Sequence, residues 1–263
     1  MLNNPLPVSN ITALQIVQLS DIHIGGLFVQ SAFDTVVDEV NRLGPDAIIV
    51  TGDLTDDGLL FQFEKARAEL KRFTCPNIIV LAGNHDYRHT GYLLFKKFFP
   101  SKQIYEFDDA IVLTLGTARP DRDEGEVGYR QNLWMEKTLA KFSEAKTKIV
   151  AMHHHLIGIP DTGTDKIIIL DAGDTLRAGL QSGVDLVLCG HKHRPWVWNL
   201  GRLEIAYAGT TSSTRYRGFF ENCYNIIEVE RGKKPRVDIK IVGKKRFPLS
   251  ELVQRYKPFL EQA

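Results

Sequence analysis

Five short apolar runs in this 263-residue chain each end on side chains that carry oxygen or nitrogen donors. They lead into Ser20-Asp21-Ile22-His23, Thr51-Gly52-Asp53, Gly83-Asn84-His85-Asp86, His153-His154-His155 and Gly190-His191-Lys192-His193. Seven of the eight histidines lie in these termini, and only His89 stands apart. In open α/β sheets, ligands bind in the crevice outside the carboxyl ends of the strands, where the loops converge. Five strands delivering carboxylate, amide and imidazole donors to one edge is the arrangement a polynuclear metal site needs.

The segments between these runs fit that topology. Leu14–Asp21 reads as a buried strand, and residues 31–43 (SAFDTVVDEVNRL) as a helix with Ser31 as cap and Phe33, Val36, Val37 and Val40 on one face. A strand over Asp46–Asp53, a helix over Leu59–Phe73 and a strand over Asn77–Asp86 complete a βαβαβ unit with parallel strands. Strands are expected at Ile104–Phe107, Ala110–Leu115, Thr147–His155 and Val184–His193, and helices at Leu133–Phe142 and Ala172–Gln181. Beyond Trp196 the pattern is mostly β. The reading is one domain over residues 1–243 with a short C-terminal extension, 244–263, in which LSELVQRYKPFL could form a helix docking on the body or on a second subunit of a homodimer.

Composition excludes several classes. Forty-three per cent hydrophobic and 25% charged residues describe an ordinary globular chain. Cys75, Cys189 and Cys223 are widely spaced and odd in number, so no disulfide framework is implied, and Cys189 reads as inert packing in a buried strand. MLNNPLPVSN lacks the pattern of a secretory signal, and every apolar run is shorter than a membrane helix requires, so the chain is expected to be soluble and cytoplasmic. The net charge of +1 conceals a split: residues 231–246 hold eight basic residues and one acid, whereas residues 1–230 carry −6. That basic segment reads as an edge strand guarded by Lys and Arg, or alternatively as an attraction for nucleic acid or an anionic membrane; no clear nucleic-acid partner follows from it.

Spacing within the termini has its own logic. Residues i and i+2 of a strand share a side, so Asp21 and His23 could grip one ion, and His191 and His193 could enter the crevice while Lys192 turns away. Gly52, Gly83 and Gly190 precede Asp53, Asn84 and His191, where a missing side chain permits close approach.

Together these motifs, over Leu14 to about Gly209, resemble the calcineurin-like metallophosphoesterases, and most of all the class III cyclic-nucleotide phosphodiesterase branch. The resemblance implies a four-layer α/β/β/α sandwich with two divalent metal ions, of manganese, iron or zinc. It implies that Asp21, His23 and His193 hold the first ion, that Asn84, His191 and one histidine of the triplet hold the second, and that Asp53 bridges them. His153 is the expected triplet ligand and His154 the second choice; failing that, His154 is expected on the substrate side, and His155 is expected to face substrate or solvent. Three consecutive histidines depart from the branch's usual pair followed by proline. By the same resemblance a small phosphodiester, such as a cyclic nucleotide, is hydrolysed by a hydroxide bridging the ions, and His85 stabilises or protonates the leaving oxygen.

Other residues carry two readings each. Asp86 could orient the His85 ring or serve as a turn cap. Arg215 or Arg217 could contact a phosphate, or both could belong to a solvated basic loop. The loop Ile159–Lys166 could wall the pocket, and Trp196 and Trp198 are expected to pack rather than stack on a base. A phosphomonoesterase, a pyrophosphate hydrolase, a nuclease and a non-catalytic scaffold are the competing functions. A nuclease is disfavoured for want of room for a capping domain, and a scaffold because every ligand position and His85 can be filled.

Overall fold

The computed structural model describes residues 13–99, 103–142, 146–163 and 168–254. The N-terminal decapeptide, residues 164–166 of the expected pocket loop and the C-terminal stretch beyond Gln254 lie outside the described residues.

The first half alternates β1 (Leu14–Leu19), α1 (Gln30–Leu43), β2 (Ala47–Val50), α2 (Leu60–Leu70) and β3 (Ile78–Val80), with β1, β2 and β3 in parallel register. There follow α3 (Gly91–Phe98), β4 (Ile104–Glu106), β5 (Ala110–Thr114), α4 (Tyr129–Leu139), β6 (Thr147–Ala151), α5 (Ala172–Gln181) and β7 (Leu186–Cys189). The remainder is β8 (Trp196–Leu200), β9 (Leu203–Tyr207), β10 (Cys223–Val229), β11 (Arg236–Ile241), β12 (Arg246–Pro248) and α6 (Glu251–Gln254).

Two six-stranded sheets result, ordered β12-β11-β10-β1-β2-β3 and β4-β5-β6-β7-β9-β8. Their inner faces meet through Ile16, Ile49, Ile79, Val112, Ile149, Leu186 and Ile227, all buried. The outer face of the first sheet (Val17, Leu19, Ile48, Val50) is covered by Phe33, Val36 and Val40 of α1 and Phe63 of α2. That of the second (Ile111, Leu113, Val150, Val187) is covered by Met135 and Leu139 of α4 and Ala178 of α5. Strands buried on both faces read as continuous apolar runs rather than as alternation, which is why β2 and β7 were visible in sequence. The architecture is therefore the expected four-layer α/β/β/α sandwich.

Some local expectations differ from the structure. Ser31 lies inside α1, which begins after the extended Val29 without a side-chain cap, and Gly44 closes it in the left-handed region with its N–H on Val40 O. Every strand that leads into a motif stops before the donors, so β1 ends at Leu19 and β3 at Val80, and His85–Tyr87 forms a 3-10 turn. The donors sit on loops, not on strands.

The basic segment is not a single guarded edge. β11 is the second strand from the edge, and β12, inside the expected extension, forms the edge itself. Its cations meet acids: Arg236 and Arg246 on Asp238, Arg246 on Glu228, Lys240 on Glu39, Lys244 on Glu221 and Lys234 on Glu204. Four of the acids, Glu39, Glu204, Glu221 and Glu228, belong to the body, so much of the segment's +7 is offset there. Trp196 is buried in β8 within the second outer core, and Trp198 donates its indole N–H to Gly158 O. No helix among the described residues is long and apolar enough to cross a membrane.

Candidate metal centre

Beneath the loops a buried polar link ties the sheets together: Gln18 donates to Cys189 O at 2.9 Å and Thr51 Oγ1 at 3.2 Å, and accepts from Asn225 at 2.9 Å. Above it the five motifs converge. Asp21 (φ 52°), His23 (φ 54°), Asp53 (φ 51°), His191 (φ 71°) and His193 (φ 51°) all adopt the left-handed region. That region is uncommon for residues with a Cβ and concentrates at functional sites. Backbone reversal, rather than strand alternation, therefore aims these side chains at one another. Lys192 is not turned out to solvent either; it is buried, and its charge acts on His155.

The glycines leave the room. A Cβ on Gly83 would stand 2.1 Å from Asp53 Oδ1, one on Gly190 2.0 Å from Ser20 Oγ, and one on Gly52 2.5 Å from His153 Nδ1.

The hydrogen bonds assign the tautomers. His23 Nδ1 lies 2.9 Å from Asp56 Oδ1, and His193 Nδ1 donates to the carbonyl of Arg215, so each ring carries its lone pair on Nε2. Those two Nε2 atoms face each other at 3.0 Å, with Asp21 Oδ1 3.2 Å from His193 Nε2 and Asp53 Oδ2 3.8 Å from His23 Nε2. Asp21 Oδ1 is buried and has no hydrogen-bond partner. Four acceptors converge without a donor, an arrangement that repels itself unless a cation sits among them.

A second group lies beside the first. His153 Nδ1 donates to Thr51 O at 2.7 Å, leaving Nε2 to face Asn84 Oδ1 at 3.2 Å, His191 Nδ1 at 3.2 Å and Asp53 Oδ2 at 3.4 Å. Asn84 gives its amide N–H to Asp123 Oδ1 at 3.0 Å, which turns its oxygen inward to within 3.0 Å of His191 Nδ1. Asp53 Oδ2 belongs to both groups, and its other oxygen accepts from His85 N at 2.9 Å. The donor set suits divalent ions of the hard to borderline kind, with imidazole, carboxylate and amide ligands and no thiolate.

Charge distribution agrees with that fit. Burial would raise the Asp53 carboxyl, yet His153 and His85 beside it hold it well below the usual range. Burial opposes protonation of His153, but Asp53 overrides this and lifts it to about 9. A proton on His153 does for Asp53 what a metal cation would do, and the two compete for the same nitrogen.

The remaining expected residues fall as follows. His154 is buried with both nitrogens used inside the protein, Nδ1 on Thr117 Oγ1 at 2.8 Å and Nε2 on Asp123 O at 3.1 Å, so it anchors the 117–125 loop instead of facing substrate. His155 stacks on His191, with centroids 5.6 Å apart and planes at 17°; burial, with Lys192 and His153 nearby, pushes it down to about 3. Asp86 accepts from Leu54 N, Thr55 N, Thr55 Oγ1 and Gly83 N at 2.9–3.1 Å, which joins the second and third motif loops. It does not orient His85, whose Nδ1 donates instead to Asp56 O at 2.7 Å. Burial and the neighbouring Asp53 raise Asp86 to about 7. His85 Nε2 receives Arg88 at 3.2 Å and Arg215 at 3.1 Å, so Arg215 reaches the site. Arg217 is half-buried in the same loop, where burial and Arg215 lower it. Thr51, Asp56, Arg88 and Asp123 were not anticipated from sequence. They act through loop contacts, and only the repeated Asp in Asp53-Leu54-Thr55-Asp56 gave a signal.

The calcineurin-like phosphoesterase family profile matches residues 14–195, which spans all five motifs. The chain belongs to the calcineurin-like phosphoesterase family. It is accordingly a metal-dependent phosphoester hydrolase that uses divalent ions. It is 30% identical to a probable cyclic nucleotide phosphodiesterase of Rhodococcus erythropolis over 76% of this chain and 71% of that one. It is 26% identical to the 3',5'-cyclic adenosine monophosphate phosphodiesterase of Escherichia coli K12, over 75% and 77%. Among solved structures, a dimetal phosphatase from Danio rerio shares the fold at TM-score 0.70 and 10% identity, covering 90% of this chain and 99% of that one. A purple acid phosphatase from yellow lupin matches at TM-score 0.73 and 12% identity over 90% of this chain, which spans 53% of that longer protein.

Proposed function

We propose that the protein is a phosphodiesterase acting on a small phosphodiester, with cyclic nucleotides as the leading candidates. The observation that carries this reading is the pair of buried acceptor clusters sharing Asp53 Oδ2, with His85, Arg88 and Arg215 beside them. The relatives named as cyclic nucleotide phosphodiesterases support the substrate class.

In this reading Asp21, His23, Asp53 and His193 hold one ion, and Asp53, Asn84, His153 and His191 hold the other. Manganese, iron or zinc fits these donors. When bound, two such ions supply an activated water and Lewis acidity at the phosphoryl oxygens. The chain's own contribution is positional. Asp53 spans the two clusters and fixes their separation. His85, its Nδ1–H held by Asp56 O, presents Nε2 as the nitrogen that handles the leaving group's proton. Arg215 offers its guanidinium to the anionic phosphate.

Hydrolysis rates on cyclic nucleotides, bis(p-nitrophenyl) phosphate and p-nitrophenyl phosphate, with protein of measured Mn²⁺ content, test the reading. Diester turnover well above monoester turnover is expected; the reverse order makes the protein a phosphomonoesterase. A second test concerns the triplet. His153→Gln is expected to weaken one of two Mn²⁺ sites by more than the roughly 10–100-fold typical of losing a partner that merely supports a ligand. His154→Gln should leave both affinities within about threefold, because its nitrogens are already engaged by Thr117 and Asp123. Equal losses in both variants would overturn the assignment.

A further inference from the structure

Three consecutive large apolar residues at the start of α2 lie on the surface: Leu59 is 37% exposed, Leu60 52% and Phe61 63%. Single exposed apolar side chains are ordinary, but a consecutive run of them costs solubility and marks a use. Leu59 also occupies the position before the first turn, where Ser, Thr, Asp or Asn would cap the helix. Leucine caps nothing, and Gln62 instead reaches back to accept the Leu59 N–H at 3.3 Å. A Cβ on Gly91 would lie 3.0 Å from Gly58 Cα, so the start of α3 packs against the start of α2 and brings in Leu93, 49% exposed. Farther along the two helices the exposed charge is nearly all of one sign. Lys65 and Arg67 of α2, Lys71 at its end, and Lys96 and Lys97 of α3 are exposed, and none forms an ion pair among the described residues. Glu64 is the exposed acid of these helices, and Glu69 is engaged by Arg72 at 2.6 Å. Lys65 lies over the Phe28 ring at 4.7 Å and Arg67 over Phe98 of α3 at 4.8 Å, so these cations border the apolar run and leave it open.

We propose that the outer faces of α2 and α3 form a docking surface for an anionic phospholipid bilayer, with Leu59, Leu60 and Phe61 entering the interface and the five cations facing the lipid phosphates. An apolar tip bordered by Lys and Arg binds such a surface through buried apolar area and attraction to anionic lipids together. A second copy of this chain fits the face less well, because a two-fold contact through it sets five unpaired cations against five. Asp57, two residues before Leu59, pairs with Arg88 at 3.4 Å, and Arg88 reaches His85 at 3.2 Å. The surface therefore adjoins the rim of the metal centre, and docking holds that centre beside the headgroups.

Co-sedimentation of the full chain with vesicles tests this. Wild type is expected to pellet with phosphatidylcholine vesicles containing about 40% phosphatidylglycerol at about 50 mM salt, and to stay in solution with phosphatidylcholine alone. It should be released at about 500 mM salt, where screening acts within a few ångströms. Leu60→Ser/Phe61→Ser and, separately, Lys96→Glu/Lys97→Glu should each lower the partition coefficient by about tenfold or more. Their Tm and their turnover of bis(p-nitrophenyl) phosphate should match the wild type, since all four side chains are exposed. Lys233→Glu/Lys234→Glu, in the basic segment, should pellet as the wild type does. Wild type left in solution with the anionic vesicles overturns the proposal. So does binding that survives in both helix variants, or that is lost with Lys233→Glu/Lys234→Glu instead. Self-association of the wild type without lipid, abolished by Leu60→Ser/Phe61→Ser, makes the face a contact between copies and overturns it too.

Discussion

Asp53→Ala is expected to reduce kcat by about 10³-fold or more while leaving a folded protein. Asp53 Oδ2 is the atom common to both acceptor clusters, 3.8 Å from His23 Nε2 and 3.4 Å from His153 Nε2. Its removal leaves the two groups without a shared anion to fix their separation. Polarisation of a phosphoryl oxygen by a metal ion contributes several kcal/mol of transition-state stabilisation. Each 1.36 kcal/mol is tenfold in rate, so losing about 4 kcal/mol gives about 10³. Asp53 Oδ1 also accepts from His85 N, so truncation loosens the leaving-group side. Asp53→Asn preserves that acceptor and most of the volume but removes the charge, and should show the same loss of bound Mn²⁺ with a smaller effect on Tm. The measurements are kcat at saturating Mn²⁺, metal content after gel filtration, and thermal unfolding. Two bound ions together with more than a tenth of wild-type activity in Asp53→Ala would contradict the bridging role.

What the sequence made legible follows from where the signals lie. β1, β2, β3, β6 and β7 were readable because each is an apolar run punctuated by Gly, Asp or His, and the βαβ rule then placed their ends together. α5 was readable from its periodicity, and the structure places it at Ala172–Gln181 as expected. α3 was not foreseen. It is only eight residues long and begins at Gly91 without a side-chain cap to mark its start. β12 was hidden because three residues, Arg246–Pro248, carry no periodicity and gain strand character only by pairing with β11.

Within the site, residue types showed which donors gather but not how they are turned inward. The left-handed backbone at Asp21, His23, Asp53, His191 and His193 replaces the simple alternation of a strand, and nothing in a D-x-H spacing distinguishes the two. Likewise the triplet offered three equivalent imidazoles. Only the contacts of Thr117 and Asp123 show that His154 is engaged elsewhere, while Thr51 O leaves His153 Nε2 directed at Asp53. Arg88 carries no mark in the sequence, because its role depends on a loop crossing that brings residues 56 and 85 together across 29 positions.

His85→Ala should separate proton donation from metal binding. Both ring nitrogens of His85 are already engaged, Nδ1 by Asp56 O and Nε2 by Arg88 and Arg215, so both Mn²⁺ affinities are expected to stay within about threefold of wild type. The loss should appear in the rate instead. Here Arg88 and Arg215 both donate to His85 Nε2, a single lone pair shared by two guanidinium groups. Anionic phosphate oxygens are stronger acceptors for guanidinium than a neutral ring, so in the proposed reading a bound phosphoester would compete with Nε2 for both arginines. A positioned general acid contributes about 10²–10⁴-fold, and it contributes most where the leaving group is a poor one. For a cyclic nucleotide the departing alkoxide needs that proton, and kcat should fall by about 10²–10⁴. For bis(p-nitrophenyl) phosphate the departing phenolate is stable unprotonated, and the fall should be at least about tenfold smaller, since the general-acid contribution is then dispensable. An equal loss on the two substrates would show that His85 acts on the phosphate through its hydrogen bond alone, and the proton-donor role would have to pass to another group.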